Sequence, residues 1–332
     1  MSSGYPPMLL IHTNDDTWIL YNAMKNKVLD LQLGVPQNYK HFCGSAKGWL
    51  IAMDENQAII LINPFHRVKG RREKENSIIR LPSLTPPLTV RKRNFWVENY
   101  ERFVYKATIT ADPISNADDC IVVVMYEDLC RLAFIRINKD TTWTYIGEEY
   151  TTFEELVYVD ADFYAVNNLG ELSYVEITSQ SNSDVEMYAY GVERSKKWFT
   201  KIYLVHSNDK ELLLVHRYID YSDDKRKTKK FRVFQFDLYT FEWTEKNTLG
   251  DGVLFLGDNS SVYVSASKFP KCKPNHIYFN HDGDRSYEHP KPHDFGVYNL
   301  KNGKFSVPYN SRAMNLLKKT SRYPIWIMPT FQ

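Results

Sequence analysis

Among the four cysteines of this 332-residue sequence, Cys43, Cys120, Cys130 and Cys272, no two stand in CxxC spacing, so the commonest zinc signature is missing. Most of them lie in or beside apolar runs, where a free cysteine packs as a small hydrophobe. Reduced thiols in a cytoplasmic or nuclear protein are the expectation. No apolar stretch approaches the ~20 residues that span a bilayer, and no membrane partner is expected. The opening MSSGYPPMLL has neither the basic n-region nor the long apolar h-region of a signal peptide. The sequon Asn259-Ser260-Ser261 is idle without secretion. GxGxxG, GxxxxGKS/T and GxSxG are all absent, leaving nucleotide folds and serine hydrolases without a signature and no cofactor implied. Charge of one sign is missing too: 42 Lys and Arg face 40 Asp and Glu, a balance that argues against a nucleic-acid binder.

Aromatic residues are abundant. They make up 14% of the chain, with 23 tyrosines, and aromatic and β-branched residues favour pleated sheets. Alanine-rich helical runs are scarce. Only two segments look helical. Ser311–Lys319 has Asn310 or Ser311 as an N-cap and lysines near its end, and 97–103 is a weaker candidate. The basic runs at 67–74, 91–93 and 225–230 read as solvated loops.

One pattern recurs along the chain. AFIRINKDTTWT (133–144) aligns without a gap with VFQFDLYTFEWT (233–244). VYNLKNGKFSV (297–307) and LYNAMKNKVLD (20–30) share the register, with Trp143, Trp243, Phe305 and Val28 at one equivalent place. Each is a strand, a polar turn and a short returning strand that buries one anchor. A second hairpin type, WLIAMDENQAIILIN (49–63), recurs as FYAVNNLGELSYVEI (163–177) and as YLVHSNDKELLLVHRY (203–218). Chained together, the two types make a four-stranded antiparallel blade, and blades repeating every ~40–50 residues make a β-propeller. Six blades are counted, at about 8–31, 41–81, 104–146, 156–190, 202–244 and 253–307. Seven stay open, because the loops at 82–103 and 280–293 could hide strands. The run 325–329 is expected to join the N-terminal strands and close the ring, since an open ring exposes sheet edges. The whole chain reads as one domain.

CGSAKGWLIAMDENQAIILINPF (43–65), IIRLPSLT (78–85) and DCIVVVMYEDLCRLAFIRINKDTTWTYI (119–146) resemble the propeller of plant F-box-associated proteins of the KIB (kink-suppressed) type. LGDGVLFLGDNSSVYVSASKFPKCKPNHIYF (249–279), followed by FGVYNLKNGKFSV (295–307), resembles the C-terminal signature of that family. The resemblance implies a kelch-like substrate receptor of a cullin ubiquitin ligase. Such a receptor docks its F-box on a Skp-type adaptor and presents a target, in one branch a shaggy/GSK-type kinase. Propeller strands begin here at about Met8, leaving no room for the F-box helices in this chain. Direct adaptor binding is therefore not expected of it.

Chemistry is thin on this scaffold. The acidic pairs Asp118-Asp119, Glu148-Glu149 and Glu154-Glu155 invite comparison with propeller glycosidases, whose carboxylates face a central channel. Adjacent residues on a strand point to opposite faces, however. A carbohydrate-active hydrolase or lectin is kept as the alternative class, and convergent unpaired carboxylates in the channel would favour it. His276, His281, Asp282, Asp284, His289 and His293 gather donor types in one loop without HExxH or paired-Cys spacing, so no metal site is expected. Neither catalytic nor cofactor-binding residues are expected. Partner binding is assigned to loops on a rigid face, with Trp96, Tyr100, Lys225, Arg226 and Lys227 as candidates of the types that anchor interfaces.

Overall fold

The computed structural model describes residues 4–13, 15, 17–29, 33–35, 41–65, 78–146, 152–177, 185–207, 211–222, 226–257, 261–269, 271–283, 293–307, 309–320 and 322–330. Six sheets form, one per blade. The first combines β1 (Met8–His12), β2 (Trp18–Asn22) and β3 (Lys27–Leu29) with β25 (Ile325–Ile327). The second runs β4 (Phe42–Ala46), β5 (Trp49–Met53), β6 (Ala58–Ile62), β7 (Ile78–Ser83). The third is β8 (Val104–Ile109), β9 (Ile121–Tyr126), β10 (Arg131–Arg136), β11 (Thr144–Ile146). The fourth is β12 (Phe153–Val159), β13 (Asp162–Asn167), β14 (Leu172–Val175), β15 (Val185–Ala189). The fifth is β16 (Phe199–His206), β17 (Leu212–Asp220), β18 (Lys227–Asp237), β19 (Glu242–Lys246). The count is six, and all six blades fall within a few residues of the expected spans.

Closure is as expected. Met8, Leu9 and Leu10 pair antiparallel with Ile327, Trp326 and Ile325, so the first blade is built from both ends of the chain. Strands β1, β5 and β6 are buried along their whole length. They lie inside blades covered on both faces by neighbours, which is why they read as unbroken apolar runs rather than alternating ones. The core is correspondingly divided into seams between blades. Leu50, Ala52, Ile60 and Ile62 of blade two meet Met8, Leu10 and Ile327 of blade one.

The sixth blade departs from the repeat. It has five strands in the order β21 (Val262–Ser265), β20 (Gly252–Leu256), β22 (His276–Phe279), β23 (Gly296–Asn299), β24 (Phe305–Ser306). Strand β20 enters as the second strand and turns back into β21 on the channel side, and β22 then pairs parallel to β20, Val253 opposite His276. A parallel pair needs a crossover, and 266–275 supplies it, starting with a 3-10 turn at Ala266–Lys268.

The repeated hairpins share their register in three copies: Tyr21 pairs Val28, Phe236 pairs Trp243 and Tyr298 pairs Phe305. In the third blade Thr144 pairs Phe134, whereas the aligned Thr244 pairs Gln235, a slip of one residue. The anchors were expected to be buried alike, and they are not. Trp143 is buried, its indole donating to the Pro82 carbonyl of blade two at 2.8 Å. Trp243 is half-buried against Phe236. Phe305 is 44% exposed, because the two-residue β24 lays it on Tyr298 and leaves its outer side to solvent.

Both helices exist. Helix α2 (Ser311–Lys319) is capped by Asn310, whose side chain accepts from the Ala313 amide at 2.8 Å. Helix α1 spans Val90–Glu98 and overlaps the expected 97–103 only at Val97 and Glu98; a 3-10 turn, Tyr100–Arg102, follows it. The basic run 225–230, expected as a solvated loop, is strand from Lys227 onward, where β18 begins. The basic run 67–74 lies outside the described residues. All four cysteines are free and buried.

Candidate interaction surface and central channel

Helix α1 stands between the second and third blades. Thr89 starts it, its hydroxyl accepting from the Lys92 amide at 3.4 Å, an N-cap that satisfies one of the orphan donors of the first turn. Trp96 is its one buried residue. The indole packs on Phe103, which packs on Tyr126, and these three belong to the core shared by blades two and three. A second tether is ionic. Glu127, buried, accepts from Lys92 on the helix and from Arg131 on β10. Burial pushes the Glu127 carboxyl up, but those two hydrogen bonds outweigh it and leave it below the usual range.

The rest of α1 faces water. Val90 is 73%, Phe95 52% and Val97 53% exposed, and Arg91 and Arg93 are exposed between them. No acidic residue occupies the first turn. Cations there oppose the helix dipole, which favours anions at this end. The helix thus offers apolar and basic side chains together on a rigid mount.

Of the candidate binding residues, Trp96 holds α1 to the core, and Tyr100 is half-buried beside it. Arg226 is buried. Lys227 is exposed at the start of β18, and Lys225 lies outside the described residues. Arg226 belongs to an ionic cluster that the sequence did not disclose. Arg217 of β17, fully buried, reaches Asp282 and Asp294 at 3.0 Å each and the Asn280 carbonyl at 2.8 Å. Thr228 donates to Asp294 at 2.8 Å, Tyr203 donates to Asp282, and Arg226 donates to the Asp282 carbonyl. Burial pushes Asp282 up, yet Arg217 and Arg226 overcome it and hold the carboxyl low. The cluster locks the fifth blade to the sixth. Of the donors weighed as metal ligands, Asp282 is committed to arginines here, and His281 stacks on Tyr323. No group of three metal-ligating side chains occurs among the described residues.

The channel is bordered by β4, β8, β12, β16 and β21, with Met328 just past β25. Near the N-terminal ends of three of these strands lies a charged layer. Lys106 of β8 bonds Glu155 of β12, and Lys201 of β16 stands 3.7 Å from Glu154. The neighbouring residues of β12 thus point to opposite blades, as strand geometry requires. Lys201 also donates to the Tyr105 hydroxyl of β8 at 2.7 Å, reaching past the whole of β12. Lys106, Glu155 and Lys201 are all buried, so the layer floors the channel. Above it a cavity of about 320 Å³ remains.

Six closed blades, a floored channel and a basic, partly apolar helix outside the ring define a β-propeller built to present surfaces. The chain belongs to the KIB1-4 β-propeller family, whose sequence profile matches residues 20–299. It is similar to an F-box protein of Arabidopsis thaliana, 23% identical over 332 residues, covering 99% of this chain and 86% of that protein. It is also similar to the Arabidopsis thaliana F-box protein SKIP23, 26% identical over 200 residues, covering 53% of this chain and 46% of that protein. Among solved structures, the β-propeller domain of Myceliophteria thermophila Cps50 (Swd1) aligns with a TM-score of 0.44 at 10% identity, over 92% of this chain and 86% of that one. No helix among the described residues is long and apolar enough to cross a membrane.

Proposed function

We propose that this chain recognises a protein target without chemistry of its own, as the receptor propeller of an F-box-type ubiquitin ligase in the cytoplasm or nucleus. The observation that carries the reading is α1. Val90, Phe95 and Val97 are exposed beside Arg91 and Arg93 on a helix that Trp96 and Glu127 fasten to the ring. Apolar side chains flanked by arginine are the types that anchor interfaces, and the basic charge fits an acidic target surface. The F-box relatives support the ligase setting. A shaggy/GSK-type kinase is the first target to try. Against a glycosidase stands the pairing of Glu154 and Glu155 with lysines of two different blades, since hydrolysis needs two carboxyls facing one bond.

A paired pull-down tests the proposal, with purified Skp-type adaptor and purified kinase. The chain itself binds no adaptor, and it retains the kinase. Replacing Arg91, Arg93 and Phe95 together by alanine abolishes retention while the melting temperature stays within a degree or two, because exposed positions contribute little to stability. Retention by the triple variant refutes α1 as the docking element. Stoichiometric adaptor binding refutes the separation of roles.

A further inference from the structure

The channel has a chemistry of its own, independent of α1. Polar side chains lining the cavity include Lys47, Lys106, Thr108, Tyr158, His206 and Ser261, with Ser45 and Tyr263 beside them. All can donate a hydrogen bond. No Asp or Glu is among the described residues that line it; the nearby carboxylates Glu154 and Glu155 are turned into the floor and taken by lysines. The wall is therefore rich in donors and poor in anions. Its volume, about 320 Å³, sits at the lower end of the ~300–1,000 Å³ range of small-molecule sites.

Two further observations point inward. The Ser261 hydroxyl is buried without a hydrogen-bond partner among the described residues, a cost that a ligand acceptor would remove. At the mouth, the β4–β5 hairpin turns on Lys47 and Gly48, at φ +54° and +84°. Two left-handed residues in succession make the tight turn that Asn-Gly or Asp-Gly ordinarily supplies. A lysine in the first position costs backbone energy that asparagine would not, and it sets a cation over the cavity.

We infer that the channel binds a small hydroxylated organic anion, a carboxylate or phosphate ester, with its charge beside Lys47 and its hydroxyls toward Thr108, Tyr158 and Ser261. The test is ligand-observed NMR on the full chain with gluconate, glucose 6-phosphate and glucose. The two anions bind and compete with each other, and glucose binds more weakly than either. Preference between the two anions separates a carboxylate from a phosphate source. Lys47→Asn removes the charge while suiting the turn better, so folding is preserved. It weakens both anions roughly two- to fivefold, the contribution of one exposed ion pair. Thr108→Trp fills the cavity and abolishes binding, and Lys301→Asn, an exposed lysine elsewhere, changes nothing. The inference is overturned if no anion binds, if glucose binds as well as the anions, or if anion binding survives Lys47→Asn unchanged. Capture of an acidic peptide in preference to both small anions overturns it in favour of a protein ligand.

Discussion

Replacing Arg217 by methionine strands two carboxylates, Asp282 and Asp294, in the seam between the fifth and sixth blades with Arg226 alone to answer them. Breaking a buried pair from one side costs about 3–5 kcal/mol, which urea denaturation of the variant will register. The same cluster sets an acid limit. Asp282 is held below its ordinary range, so its contribution is present above the unfolded value near pH 4 and is lost as pH falls through the lower folded value. His216 acts at milder pH. Its ring, buried against Phe234 and Tyr218, is pushed down to about 4 by burial first and by Arg194 and Arg232 next. The folded state therefore prefers the neutral ring. Its stabilisation is complete above the unfolded value near 6.5 and drains away towards pH 4, on the order of 2 kcal/mol between pH 6.5 and 5. His216→Phe should flatten that slope, and an unchanged slope would exonerate the histidine. Part of this was legible. An arginine inside the apolar run LLLVHRYID is a visible anomaly, and Asp282 stands among the donor types noted in that loop, though Asp294 does not. Their pairing was not legible, because Arg217 meets its partners 65 and 77 residues away, and local patterns do not encode such distances.

At the scale of an element, α1 was misplaced because its first turn violates the usual charge rule. Three basic residues follow the cap where acids are favoured, and the aromatic stretch beyond drew the helix too late. The capping threonine was the signal that mattered. Thr89→Ala should loosen the helix by about 1 kcal/mol, seen as faster amide exchange in 90–98 with the blades unaffected. The repeated hairpins behave oppositely, since their register was readable and their burial was not. Trp143→Ala should cost about 3–5 kcal/mol. Phe305→Ala, at a more exposed site on an edge strand, should cost no more than about 1 kcal/mol. Equal losses at the two sites would show that the repeat imposes more than register.

For the whole molecule, removing 321–332 takes β25 from the first blade and leaves β1 with a bare edge. The truncated ring should melt well below the intact chain or lose a single cooperative transition, as calorimetry would show. Blade number and closure could be read because each blade is a local unit of about 40 residues with its own turn signals. The strand order of the sixth blade could not. Its parallel pair is joined by the crossover 266–275, and nothing in two adjacent apolar runs says whether they pair with each other or exchange places.

The bond between β1 and β25 also has a history in time. Translation delivers Met8 about 320 residues ahead of Ile327, and at ~5–20 residues per second the interval is on the order of 15–60 s. Through that interval Leu9 and its neighbours offer unpaired backbone groups that any other nascent strand can take. Yield in a recombinant host should accordingly respond to crowding on the polysome, with weaker ribosome loading raising the soluble fraction even when total synthesis falls.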